Sequence, residues 1–347
     1  MIDTINCNIR NLILHKIGNK LENDSICFSH SVLNIDDAET RISLLKYFTT
    51  PFIKSPEYLN FYHDIDIMMN EVFVCVSRIF DNPENLLAQS VNLAKHLYEQ
   101  STHPKIKSGE FYVVYFKDCI FDGKTVDAVG LFKSENKDTF LKVYSSGDSF
   151  EIESQQGVNI NKLDKGCLVF NTEKENGYVV AVVDNTNKGA EAQYWMDNFL
   201  HVRPRKDEYY DTQNLLSLCK NFATKELPQQ FEVSKADQVN LLNKSVQFFK
   251  ENESFSMAEF TSEVIAQPAM IDSFNEYRTD FQRERDIAIS DSFNISESAV
   301  KKQARSIKSI IKLDKNFHIY VHGSRELIVQ GVDEKGKFYK VYYQEES

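Results

Sequence analysis

Residues 111–133 read FYVVYFKDCIFDGKTVDAVGLFK. Two runs rich in Val, Phe and Tyr meet at Asp122-Gly123, a dipeptide suited to the left-handed backbone of a tight hairpin turn. The pattern continues downstream through TFLKVYS, GCLVFN and YVVAVVD, with Ser146-Gly147, Gln156-Gly157 and Asn176-Gly177 as further turn formers. Connections this short join antiparallel neighbours, because a parallel crossover needs a dozen residues or more. The stretch therefore predicts an antiparallel sheet rather than a doubly wound parallel one.

Upstream, NIRNLILHKIGN (residues 8–19) reads as a strand ending at Gly18-Asn19, and SICFSHSVLNI (25–35) as a second strand. Helical spacing of apolar residues follows in DAETRISLLKYF (37–48) and over the whole of residues 57–80. Asn82-Pro83 then opens another helix, NPENLLAQSVNLAKHLYEQ. Past the strand-rich region, residues 187–200 return to a helix. There Ala192, Trp195, Met196 and Phe199 fall on one face, so the only Trp of the chain is expected in the core.

The second half is helical first, over residues 211–227, 235–252, 256–265 and 268–285, and closes with three strand-like runs from Phe317 to Tyr343. A chain of 347 residues suggests about two domains. The expected division is 1–205, an α+β domain on an antiparallel sheet, and 206–347, a mainly helical domain ending in a three-strand meander. HVRPRKDEYY (201–210) is the expected connector.

Composition narrows the function. The apolar fraction of 42% supplies real cores, and the net charge of -11 excludes a uniformly basic DNA-coating protein. Any contact with nucleic acid must use a local patch. The six cysteines are widely spaced, without CxxC or zinc spacing. They are expected as core thiols in a reduced, cytoplasmic protein, and the apolar runs are too short to span a bilayer.

The strongest basic candidate is NISESAVKKQARSIKSIIKL (294–313), with no acidic residue between Ala299 and Leu313. Read as one helix capped by Asn294 with Glu297, it puts Val300, Ala304, Ile307 and Ile311 on one face. Lys301, Arg305, Lys308 and Lys312 share a neighbouring face, with Lys302 beside them. Such a helix can pack its apolar side and offer the basic side to phosphates, although an ordinary solvated helix has the same pattern. Arg203, Arg205 and Lys206 form a secondary candidate, diluted by Asp207 and Glu208.

Enzymatic signatures are weak. Asp127, Glu135 and Lys137 make a D-x7-ExK spacing, the nearest approach to a metal-dependent nuclease. His318 and His322 lie roughly 13 Å apart on an extended strand, too far to share one metal ion. There is no P-loop, GxGxxG or GxSxG, so no cofactor is expected.

NLILHKIGN, the central run YWMDNFLHVRPRKDEYYDTQNLLSLCKNF and the closing LDKNFHIYVHGSRELIVQGVDEKGKFYKVYY together resemble the bacterial nucleoid-associated protein family known as NdpA or YejK. The resemblance implies a protein found with the nucleoid, binding double-stranded DNA, with no established catalysis. It carries over no set of DNA-contacting residues. Other nucleoid or replication proteins stay open as partners, reached through the acidic surface, and so does a homo-oligomer.

Overall fold

The computed structural model describes residues 2–3, 7–53, 57–186, 194–307, 310–321 and 327–345. The chain divides into two compact units, Met1–Arg205 and Lys206–Ser347. The architecture is α+β. No described helix is long and apolar enough to cross a membrane.

The first unit runs β1 (Ile2–Asp3), β2 (Asn8–Ile17), α1 (Ala38–Thr49), β3 (Leu59–Phe61), α2 (Glu71–Asp81), α3 (Leu86–Gln100), β4 (Gly109–Phe121) and β5 (Lys124–Ser134). It continues with β6 (Asp138–Ser146), β7 (Ser149–Gly157), β8 (Lys165–Phe170), β9 (Val179–Asp184), a π-helical segment Tyr194–Leu200 and β10 (Val202–Pro204). Eight strands form one sheet in the order β1-β4-β5-β8-β9-β3-β10, with β2 also on β4. Every pairing in it is antiparallel.

The β4–β5 hairpin turns at Asp122 (φ 52) and Gly123 (φ 74), both left-handed, as a two-residue turn of right-handed strand twist requires. Its strands read as unbroken apolar runs because both faces of the sheet are covered. Val113, Tyr115, Val129 and Leu131 meet α2 and α3 on one side. Val114, Phe116, Ala128 and Phe132 meet the aromatic end of α1 on the other, where Phe48 stacks on Phe132 at 4.3 Å between ring centroids.

Two expected elements are corrected here. The helix read over 57–80 breaks into β3, a 3₁₀ turn at Ile67–Met69 and α2. Asp66 accepts from the Met68 N–H, and Asn70 accepts from the Phe73 N–H while its amide donates to Tyr62, Leu200 and His201 carbonyls. Short polar side chains that bond the backbone in this way end a helix and start another. The strand read over 25–35 is only a bridge between Lys16 and Cys27. The Ser29 N–H there goes to His15 Nδ1 instead of to a strand.

The second unit holds α4 (Glu208–Asn221), a π-helical segment Phe222–Glu226, α5 (Leu227–Gln230), α6 (Lys235–Glu251), β11 (Ser254–Ser256) and α7 (Met257–Phe260). A π-helical segment Thr261–Ile265, α8 (Pro268–Arg285), β12 (Ser292–Asn294) and α9 (Glu297–Ser306) follow. The chain closes with β13 (Ile310–Leu313), β14 (Phe317–Tyr320), β15 (Ile328–Asp333) and β16 (Gly336–Val341). The core is aromatic: Phe248, Phe249, Phe255 and Phe260 pack together, and Phe274 stands against Phe222 at 5.1 Å. The closing meander is two hairpins, β13–β14 and β15–β16, so it gains a strand, β13, that the sequence pattern assigned to a helix.

Candidate nucleic-acid interface

α9 is placed by its N-terminus. The Ser296 N–H donates to Thr212 Oγ1 of α4 at 3.1 Å, and Ser296 rather than Asn294 caps the helix, facing the Ala299 N–H. Asn294 is instead a β12 residue paired with Ser254. Ala299, Val300 and Ile307 are buried as α9 packs against α4 and α6. That leaves Lys301, Lys302 and Arg305 on the exposed side, about one turn of a basic face.

The three differ in their surroundings. Lys301 Nζ lies 3.1 Å from Glu297 Oε2, both groups largely in water, an ion pair weak enough to exchange for a phosphate. Lys302 Nζ stands 5.5 Å from the centroid of the buried Tyr209 ring, which steadies it by a cation–π contact. Arg305 sits in the last turn, where a cation complements the helix dipole.

The basic face is shorter than the sequence pattern suggested. The helix ends at Ser306, and Ile307 leaves helical geometry at ψ 88. Ile310 and Ile311 then pair with Tyr320 and Ile319 in β13–β14, since β-branched residues suit a strand and a partner strand is at hand. Lys312 therefore lies on β13, opposite His318, and not on the helix. It borders a cavity of about 250 Å³ with Lys235, Thr224 and Gln238. Lys308 and His322 lie outside the described residues.

The secondary cluster is also rearranged. Residues 202–204 are strand β10 at the sheet edge, not a loop, and Pro204 is tolerated there because an edge strand has donors to spare. Arg203 is exposed, its guanidinium 5.3 Å from the Tyr62 ring centroid. Arg205 is committed to Glu173, with contacts of 2.7 and 3.2 Å, and its backbone N–H donates to the Tyr58 carbonyl. Lys206 is exposed at the start of the second unit. Arg203 and Arg205 belong to the first unit and Lys206 to the second; within the second unit Lys301, Lys302 and Arg305 share the exposed face of α9.

Asp127, Glu135 and Lys137 are not brought together either. Asp127 accepts from Tyr115 and Lys117 near the start of β5, and Glu135 follows the other end, roughly 26 Å away along an extended strand. Lys137 pairs with Glu110. Among the described residues no group of three or more His, Cys, Asp or Glu could hold a metal ion.

Glu135 belongs instead to a buried network that the spacing of motifs gave no reason to look for. Lys133, Lys165 and Asp184 occupy one row across β5, β8 and β9. Lys133 Nζ lies 2.9 Å from Glu135 Oε1 and donates to the Lys107 carbonyl. Lys165 Nζ donates to Asp184 at 2.9 and 3.1 Å and to Thr186 Oγ1. Tyr194 donates to Glu135 at 2.9 Å and presents its ring to both ammonium groups. Burial pushes Lys133 below the ordinary lysine value, while Glu135 pulls it back; burial and Glu135 both push Tyr194 well above the usual phenol range. The visible signal was a lysine at one end of two apolar runs, GLFK and KGCLVF.

A family model described as nucleoid-associated protein YejK matches residues 13–337. No curated protein matches the chain.

Proposed function

The chain belongs to the nucleoid-associated protein YejK family, and on that premise we propose that it binds duplex DNA directly, with little sequence preference and without catalysis. The contact surface is the exposed face of α9, Lys301, Lys302 and Arg305, extended by Lys312 on β13. One observation carries the choice: these three α9 side chains are exposed on a helix whose opposite side is buried. A helix held this way can lay ammonium and guanidinium groups along a phosphate backbone without moving. The family name supports residence with the nucleoid, in the cytoplasm, and the net charge of -11 confines binding to such a local surface.

Anisotropy of a labelled random duplex, titrated with the full chain at rising salt, tests this. Each neutralised phosphate contributes about -0.9 to the slope of log affinity against log salt, so the four residues give about -3 to -4. Reversal at Lys301, Lys302 and Arg305 together should weaken binding on all sequences alike and flatten the slope. Tight binding that survives the reversal would move the contact elsewhere. No binding at low salt would favour the second reading, an acidic surface recruited by a basic nucleoid protein.

A further inference from the structure

In the second unit the start of α6, the π-helical segment Phe222–Glu226 and β13 border a cavity of about 250 Å³. Lys235 and Lys312 line it, and no carboxylate does. Acidic side chains outnumber basic ones in this chain, 51 to 40, so the charge of the cavity runs against that of the protein. Neither ammonium has a carboxylate partner among the described residues. Lys235 Nζ donates instead to Gln238 Oε1 at 2.9 Å. Gln238 is only 4% exposed and lines the same cavity. Its oxygen is given to Lys235, and its amide N–H groups meet no acceptor among the described residues. A buried donor left in that state is costly until an acceptor reaches it.

We infer that this cavity binds a small phosphate monoester. The donors on its walls are two ammonium groups and one amide. Thr224 adds none, because its hydroxyl already donates to the Lys220 carbonyl at 2.7 Å. A monoester phosphate has three terminal oxygens and about -1.5 to -2 charge at pH 7, which matches two lysines and an amide. A diester, such as a nucleic-acid backbone phosphate, has two such oxygens and a single charge. Lysine serves phosphate as a compact point charge, and Lys235 lies in the first turn of the 17-residue α6, where the helix dipole favours an anion. Val239, Leu242 and Ile310 make the remaining wall, with Val239 and Leu242 buried. That wall sheds water and takes the organic part of the ester. The cavity is smaller than the roughly 300 Å³ at which sites for drug-sized ligands begin, so the organic part is one ring or a short chain.

Lys312 is shared with the surface proposed for DNA, whereas Lys235 and Gln238 are not. The site is therefore probed without DNA, and Lys235 decides.

Calorimetric titration of the full chain at low salt and pH 8, where a monoester is a dianion, is the test. The probes are phenyl phosphate, inorganic phosphate and dimethyl phosphate. Phenyl phosphate should bind one per chain, more tightly than inorganic phosphate and at least about tenfold more tightly than the diester. Lys235→Gln and Lys312→Gln should each weaken it about tenfold, the loss of one charged hydrogen bond. Lys250→Gln, at the other end of α6, should leave the affinity unchanged and controls for net charge. Circular dichroism checks the fold of each variant. The absence of phenyl phosphate binding overturns the proposal, as does a Lys235→Gln chain that binds like the wild type. Equal affinity for dimethyl phosphate also overturns it and returns the cavity to the DNA surface through Lys312. Inorganic phosphate binding as tightly as phenyl phosphate would overturn the role given to the apolar wall.

Discussion

Lys133 and Lys165 face each other across the β5–β8 register with no exposed surface on either, and Glu135 lies 2.9 Å from one ammonium and 3.9 Å from the other. Two like charges in adjacent strands repel, and both have left water. Glu135 and Asp184 supply the opposing charges. Glu135→Gln keeps the shape and removes one of them. A loss of about 3 to 5 kcal/mol is expected in urea unfolding, the scale for breaking a buried ion pair. A loss below about 1 kcal/mol would mean that the lysines do not depend on that carboxylate.

Trp195 has no exposed surface, and its ring centroid is 4.9 Å from that of Phe199. Trp195→Ala should cost about 3 to 5 kcal/mol, as for other large buried aromatics. Circular dichroism must follow the unfolding, since the variant carries no other Trp. A cost under about 1 kcal/mol would place the indole outside the core.

His15 predicts a pH dependence. It accepts the Ser29 N–H at Nδ1, so its proton lies on Nε2, 2.9 Å from Ser90 Oγ. Burial lowers its pKa to about 4 from an ordinary 6.5. The folded state therefore favours the neutral ring. The contribution is complete above pH 6.5 and is lost as pH falls toward 4, on the order of 3 kcal/mol in all. Stability curves of wild type and His15→Gln should converge across that window; parallel curves would refute the assignment.

Arg205 separates structure from DNA contact. Its guanidinium already faces Glu173, so Arg205→Ala should cost about 1 kcal/mol of stability and leave duplex affinity unchanged. A drop in the salt slope of about 0.9 would make it a phosphate contact after all.

The sheet was legible because its signals are local. Asp122-Gly123 sets a hairpin turn, and Val113, Val129 and Val169 lie in runs long enough to be strands buried on both sides. The failures have one physical origin. Periodicity sees apolar spacing but not competing hydrogen bonds. Asn70 broke an apparent helix by bonding the nearby Tyr62 carbonyl and the distant carbonyls of Leu200 and His201, and Ile310–Ile311 left one for a partner strand beyond the next turn. For α9 the pattern found the exposed face at Lys301 and Arg305 but overran its end. Of the Lys133–Lys165 row only the lysines themselves were legible, one at the end of each of two apolar runs, since the partners Glu135, Asp184 and Tyr194 come together through tertiary structure.

The position of β3 between β9 and β10 also governs how the first unit is made. Leu59 pairs with Val180 and with Pro204. A ribosome releases Leu59 long before either partner, so this strand waits, unpaired, while the rest of the sheet is synthesised. Its closure is a late step dominated by contacts distant in sequence, the kind that folds slowly. A chain interrupted before Val179 can form the β4–β5 hairpin but not the far edge, and it leaves the apolar side chains of β3 without their sheet.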